Sequence, residues 1–252
     1  MAHIDTSLCL CATPHKKLIK RMYVSHLSLT DFRSYPSLEL QPQPGQNIFI
    51  GENGEGKTNI IESLMYLALL SSHRISSDQP LVRLGSERAY IRARIKSSER
   101  TTLVELEINA NKANRAKVNQ NPIRSQKELL GIVKSVCFSP EDLDLVRGDP
   151  SERRSFLDQL LIQRSPRLAG VITDYERALK QRNSLLKSRA PQSSLEPWNE
   201  HLANFGGGVI AGRLRLIEEI EPLFQNAYKN LSEKKKANLG YKSTISSPTT
   251  NK

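Results

Sequence analysis

The chain has 252 residues, 38% of them hydrophobic, with a mean hydropathy of −0.47 and a formal charge of +11. That is enough chain to bury a core in one large or two small domains. No apolar run approaches the ~18 residues of a membrane span, Leu8–Ala12 is too short and its charges follow it rather than precede it as in a secretory signal, and three cysteines make no disulfide framework. A cytoplasmic home is the expectation.

Residues 1–21 read as an unstructured leader, with Met22 as the natural start. They contribute +3, so the remaining 231 residues carry +8 and the basic balance is not confined to the leader. Such a balance suits nucleic acid and equally suits ordinary solvation. Tyr23 to Leu29 alternates, with Tyr23, Ser25, Leu27 and Leu29 on one face of a strand. Leu38-Glu39-Leu40 is its expected hairpin partner. The apolar run within Gln46–Ile50 reads as a third strand.

Gly51-Glu52-Asn53-Gly54-Glu55-Gly56-Lys57-Thr58 follows and fits G-x-x-x-x-G-K-[ST]. A helix over Asn59–Ala68 comes next, so the motif has the strand–loop–helix setting it requires. Glycines let the backbone wrap closely around an anion, and successive N–H groups at a helix N-terminus form the nest. Lys57 supplies a point charge for the terminal phosphates of ATP. The Thr58 hydroxyl is the expected protein ligand of Mg2+.

After a polar loop, Ala89, Ile91, Ala93 and Ile95 alternate with Tyr90, Arg92, Arg94 and Lys96. Thr102, Val104, Leu106 and Ile108 alternate with Leu103, Glu105 and Glu107. Arg115–Asn119 is a further strand, and strict alternation predicts antiparallel pairing with one wet face. Ser125-Gln126-Lys127-Glu128 predicts a capping box. Val133–Phe138 predicts an apolar strand. Ser139-Pro140, Asp149-Pro150 and Ser165-Pro166 predict three helix starts. From there the period is helical. Leu168, Val171, Ile172, Tyr175, Leu179 and Leu186 form one stripe. A second helix over about Glu196–Leu231 turns Trp198, Leu202, Phe205, Ile210, Leu214, Ile217 and Phe224 inward, with Gly206-Gly207-Gly208 weakening or breaking it. Lys234–Lys252 is a polar tail.

An ATPase of this loop type needs a strand of apolar residues ending in Asp or Asp-Glu and, in ABC proteins, a Leu-Ser-x-Gly-Gln signature. Neither is found. Val136–Asp142 approximates the first, but Ser139-Pro140 interrupts it.

Met22 to Tyr35 with Asp31-Phe32-Arg33-Ser34-Tyr35, the phosphate loop with Asn59-Ile60-Ile61-Glu62, Ser72-His73-Arg74, Phe138–Leu143 and Gly148–Asp158 together resemble the SMC-type ABC ATPases, and more narrowly the RecF family of bacterial DNA repair proteins. The resemblance covers about residues 22–245. It implies an α/β fold, a P-loop NTPase of ABC/SMC-head type with a mixed-sheet lobe I over 22–147 and a helical lobe II over 148–233. It implies an ATP- and Mg2+-dependent protein of recombinational repair and replication restart that binds single-stranded, gapped or duplex DNA within the DNA-damage (SOS) response. It also implies an ATP-dependent homodimer, action with RecO and RecR, and loading of recombinase. By resemblance Arg33 approaches the adenine or phosphates. Glu141 lies where related ATPases carry a glutamine. Arg74, Arg153 and Arg154 are open between DNA or phosphate contact and ordinary packing or salt bridging. The family's signature and apolar-Asp-Glu strand lie beyond the point where this chain ends, so an N-terminal fragment unable to hydrolyse ATP alone is expected. The competing readings are a P-loop small-molecule or nucleoside kinase, with Arg147, Arg153, Arg154 and Arg164 as lid arginines, and an inactive DNA-binding fragment.

Overall fold

The structure, a computed structural model, describes residues 22–72, 74–75, 77–97, 100–232 and 237–242. The leader with two of the three cysteines, His73 and most of the polar tail lie outside the described residues. The chain divides into two compact units, Met1–Cys137 and Phe138–Lys252. The sequence pattern alone places this division at 147/148.

In the first unit, strands β1 (Tyr23–Phe32), β2 (Tyr35–Leu40), β3 (Arg88–Ser97), β4 (Arg100–Asn109), β5 (Arg115–Val118) and β6 (Asn121–Pro122) form one sheet in the order β2-β1-β3-β4-β5-β6. Every ladder is antiparallel. Among the described residues, parallel pairing is confined to an isolated bridge between Leu130 and Val133. The alternation in β3 and β4 works as predicted. Ala89, Ile91, Ala93, Ile95, Val104, Leu106 and Ile108 are buried together with helix α1 (Lys57–Leu69). Tyr90, Arg92, Arg94 and Lys96 lie on the opposite face.

β1 departs from its expected face. A bulge between Val24 and His26 shifts the register, so Val24 pairs Ile95 and packs on the core while Tyr23 pairs Lys96 on the wet side. One inserted residue reverses the side on which everything before it lies. Two further expectations are corrected. Residues 46–50 and 133–138 are not strands. Both are apolar, but a strand exists only through a ladder, and no described strand runs beside either. Ile48 and Ile50 are consequently 64% and 83% exposed, and Val136 and Phe138 more than four-fifths exposed. The Ser125 capping box forms, closing a short 3-10 turn at Gln126–Leu129.

The second unit is helical. A 3-10 turn at Pro140–Leu143 leads into α2 (Asp144–Arg147), α3 (Pro150–Arg164), α4 (Leu168–Lys187) and α5 (Gln192–Leu231). Asp149 caps α3 through the Ser151 N–H, with Pro150 at the first helical position. Ser165 ends α3, and no side chain caps α4.

The expected stripes shift. In α4 the buried positions include Ala169, Ile172 and Ala178, while Leu179 and Leu186 face solvent. In α5 the seam is Leu195, Gly206, Val209, Arg213 and Leu216, and Leu214 is exposed. From Gly206 the spacing runs three, four, three, as along a coiled-coil edge. The triple glycine therefore does not break the helix. A Cβ at Gly206 would lie 3.4 Å from the Tyr175 ring and one at Gly208 3.3 Å from Val171 Cγ1, so two of the three glycines let α4 approach closely. Arg213 is buried on the seam. It donates to Asp158 from Nε (2.8 Å) and Nη2 (2.6 Å), and to the Tyr241 hydroxyl from Nη1 (3.3 Å).

Candidate functional site

The phosphate-loop motif spans the approach to α1. Gly54 and Gly56 take positive φ, +92° and +93°. At Gly56 there is no room for a side chain either, because a Cβ would lie 2.7 Å from Ser34 Oγ and 2.8 Å from the Tyr35 hydroxyl. Gly56 is the N-cap of α1, and no side chain caps it. The Asn59 N–H donates to the Gly56 carbonyl at 2.8 Å, so the N–H groups of Lys57 and Thr58 are the ones left to an anion or to water, with the helix dipole adding positive potential.

Two side chains lie across the loop. Lys57 Nζ donates to the carbonyls of Gly51 (2.7 Å) and Glu52 (2.5 Å). The Glu55 carboxylate accepts from the Glu52 N–H at 3.0 Å, and a Cβ at Gly51 would collide with it. An internal carboxylate therefore takes a loop amide. Asn53 and Thr58 are exposed, so the Thr58 hydroxyl is open to solvent.

The turn between β1 and β2 braces this loop. Asn59 Nδ2 donates to Ser34 Oγ (3.0 Å), and the Tyr35 hydroxyl donates to the Glu55 carbonyl (3.2 Å). Arg33, with φ +54°, clamps onto α1. Its Nε and Nη2 donate to the two oxygens of Glu62 at 2.9 and 2.6 Å, and its Nη1 donates to the Pro80 carbonyl. Ser72 donates to Glu62 at 2.6 Å. Arg74 reaches Glu62 at 3.2 Å and Asn59 at 3.3 Å. Burial pushes the Glu62 carboxyl up, but hydrogen bonds from Arg33 and Ser72 and the charges of Arg33 and Arg74 outweigh it and hold the group below its ordinary value. Glu62 is 2% exposed. Sequence reasoning did not single it out; the available signal was a lone carboxylate in the otherwise apolar-and-small run Ile60–Ala68.

The structure thus brings Arg33, Arg74, Glu62 and the phosphate loop together, with Arg33 and Arg74 spent on Glu62. In the second unit, Arg153 donates to the carbonyls of Leu145 and Gly148, and Arg164 bridges Glu219 at 2.7 Å. Two of the four arginines that a kinase lid would need are engaged in holding helices. Among the described residues no group of three or more His, Cys, Asp or Glu side chains could hold a metal ion, and no helix is long and apolar enough to cross a membrane.

A family model described as an AAA domain matches residues 26–245. The chain is 52% identical over 221 residues to the DNA replication and repair protein RecF of Streptomyces avermitilis, covering 84% of this chain and 59% of that protein. It is 49% identical over 233 residues to RecF of Kineococcus radiotolerans, covering 89% and 60%. Two solved structures of the recombination mediator protein RecF in the RecFOR pathway superpose on it. One is RecF-ATPrS (TM-score 0.78, 28% identity) and the other RecF-ATP (TM-score 0.72, 30% identity), each covering 84% of this chain and 58% of that one. The chain spans about three-fifths of the length of the curated relatives it matches. The fold is that of the RecF structures, with a P-loop at residues 51–58, and the chain belongs to the AAA-domain family and to the RecF group of DNA replication and repair proteins, whose N-terminal portion it matches.

Proposed function

We propose that this chain is the nucleotide-binding portion of an ATP-dependent DNA repair protein, and that residues 51–58 take the triphosphate of ATP. The observation that carries the reading is the uncapped first turn of α1 beneath a loop whose Glu52 N–H already draws in a carboxylate. The residues present fit the ligand. Gly54 is open on its outer side, Gly56 excludes any side chain, and Lys57 needs only to leave two backbone carbonyls to meet a phosphate. The Thr58 hydroxyl suits one position on Mg2+, an ion commonly held through phosphates and water rather than by a dedicated protein cage. ATP supplies, when bound, the polyanion that such a nest is built to hold. Glu62 is not a free base for water, since both its oxygens are committed to Arg33, Arg74 and Ser72. The reading is therefore of binding rather than hydrolysis by this chain.

From the RecF relatives we further infer action on single-stranded, gapped or duplex DNA in the cytoplasm, ATP-dependent pairing of two copies, cooperation with RecO and RecR, and help in loading recombinase. We also infer that, in a protein of the relatives' full length, another segment covers the exposed apolar side chains Ile48, Ile50, Val136 and Phe138.

The test is ATP binding by the wild type and by Lys57→Ala, with Mg2+ present. Binding that is lost in the variant while circular dichroism is unchanged supports the reading. Equal affinity in both proteins overturns the assignment of the loop.

A further inference from the structure

Charge in the helical unit is unevenly placed. Between Arg177 and Leu195 there are five cations, Arg177, Lys180, Arg182, Lys187 and Arg189, and no carboxylate. The other described residues of that unit carry nine Lys and Arg against thirteen Asp and Glu. Among the described residues of the unit the positive surplus therefore sits between Arg177 and Leu195, where the α4–α5 hairpin turns.

Geometry separates two kinds of cation there. Arg182 is half-buried and donates to Asn199 Oδ1 of α5 at 2.6 Å, so it fastens the hairpin. Arg177, Lys180 and Lys187 are exposed, and at 100° per residue they fall within an arc of about 80° on one side of α4. Arg189 is exposed just past the helix end, at φ +54°. Arg177 has only an exposed pairing with Asp174 at 3.6 Å, which water and salt largely screen. No described carboxylate pairs with Lys180, Lys187 or Arg189. Ser184 falls in the same arc and adds a hydroxyl, while the Ser188 hydroxyl donates to the Leu185 carbonyl at 3.0 Å. The distance along the helix from Lys180 to Lys187 is about 10 Å at 1.5 Å per residue. Duplex DNA offers a charge roughly every 1.7 Å of its axis, so several phosphates lie within that span.

We propose that this basic end of the α4–α5 hairpin is a docking surface for the phosphate backbone of duplex DNA. The proposal rests on the DNA-binding reading above and adds to it the surface that carries the contact. The surface reads charge and spacing, not base sequence.

The test uses the full chain and a fluorescein-labelled 30-base-pair duplex of arbitrary sequence, with anisotropy measured at several salt concentrations. The variant is Lys180→Gln/Lys187→Gln/Arg189→Gln. A control, Lys112→Gln/Arg115→Gln/Lys117→Gln, removes the same charge from exposed positions around β5. Each phosphate contact contributes about 0.9 to the slope of log affinity against log salt. The hairpin variant should lose about 2.7 from that slope, so that the wild type weakens about 40-fold more than the variant between 50 and 200 mM salt. The control should keep the wild-type slope. A hairpin variant with the wild-type slope overturns the surface assignment and leaves DNA binding intact. Equal losses in variant and control also overturn it, since net charge alone would then explain binding. No binding by the wild type at 50 mM salt overturns the DNA-binding reading itself.

Discussion

Replacing Glu62 with Gln tests whether a buried charge holds the phosphate-loop unit together. The Glu62 side chain is 1% exposed and that of Arg33 18% exposed, and two short hydrogen bonds join them. Gln keeps the shape, removes the charge and turns a donor toward a guanidinium. Hydrogen bonds to charged groups contribute about 1.5–3 kcal/mol, and an Arg left without its buried partner costs about 3–5 kcal/mol. The Arg74 arm adds little, because that side chain is 41% exposed. A loss of about 2–3 kcal/mol is expected. At a urea dependence of about 2 kcal/mol per molar, the midpoint of the first unit's unfolding should fall by roughly 1 M.

Acidity supplies a second reading of the same variant. The folded Glu62 carboxyl is held below its ordinary value, so its contribution is whole above the unfolded value of about 4.3. That contribution drains as pH falls through the folded value. The wild-type advantage over Glu62→Gln should therefore shrink on acidification below pH 4. Matching midpoints at neutral pH, within about 0.2 M of urea, would refute the reasoning.

Other outcomes follow from single contacts. Glu55→Gln removes the carboxylate that accepts from the Glu52 N–H. It should bind ATP roughly five- to tenfold more tightly, about 1–1.4 kcal/mol, by titration; weaker binding would show that Glu55 helps the ligand rather than competing with it. Gly207 has open space around a Cβ, whereas at Gly208 a Cβ lies 3.3 Å from Val171. Gly207→Ala should accordingly raise helical-unit stability by about 1 kcal/mol, and Gly208→Ala should give clearly less; equal gains in thermal melts would contradict close packing there. Arg213→Ala leaves Asp158 uncompensated on a buried seam and should cost about 3–5 kcal/mol in denaturant unfolding. A loss under 1 kcal/mol would mean the pair is not part of the core.

Much of the sheet and the phosphate loop were legible locally. The alternation in β3 and β4 carries its own face assignment, and Asp149-Pro150 carries its own cap. What failed depended on partners remote in sequence. Nothing near Tyr23 announces the bulge that turns it outward. The apolar runs at 46–50 and 133–138 look like strands, but their ladders need neighbours that no described residue supplies. In α5 the seam was misplaced because its glycines and Arg213 are poor markers of burial, yet small residues and a paired arginine fill it. In the sequence Glu62 stands only as the last residue of the block Asn59–Glu62, and its bond to Arg33 is not legible there because it spans 29 residues.

The most direct measurement of the central claim is hydrogen exchange of the backbone amides of residues 51–60, with and without MgATP. Protection gained at Gly54–Thr58 in the wild type and lost in Lys57→Ala is the result expected if these N–H groups hold the triphosphate. ATP binding that leaves these amides unprotected would contradict it and place the nucleotide elsewhere.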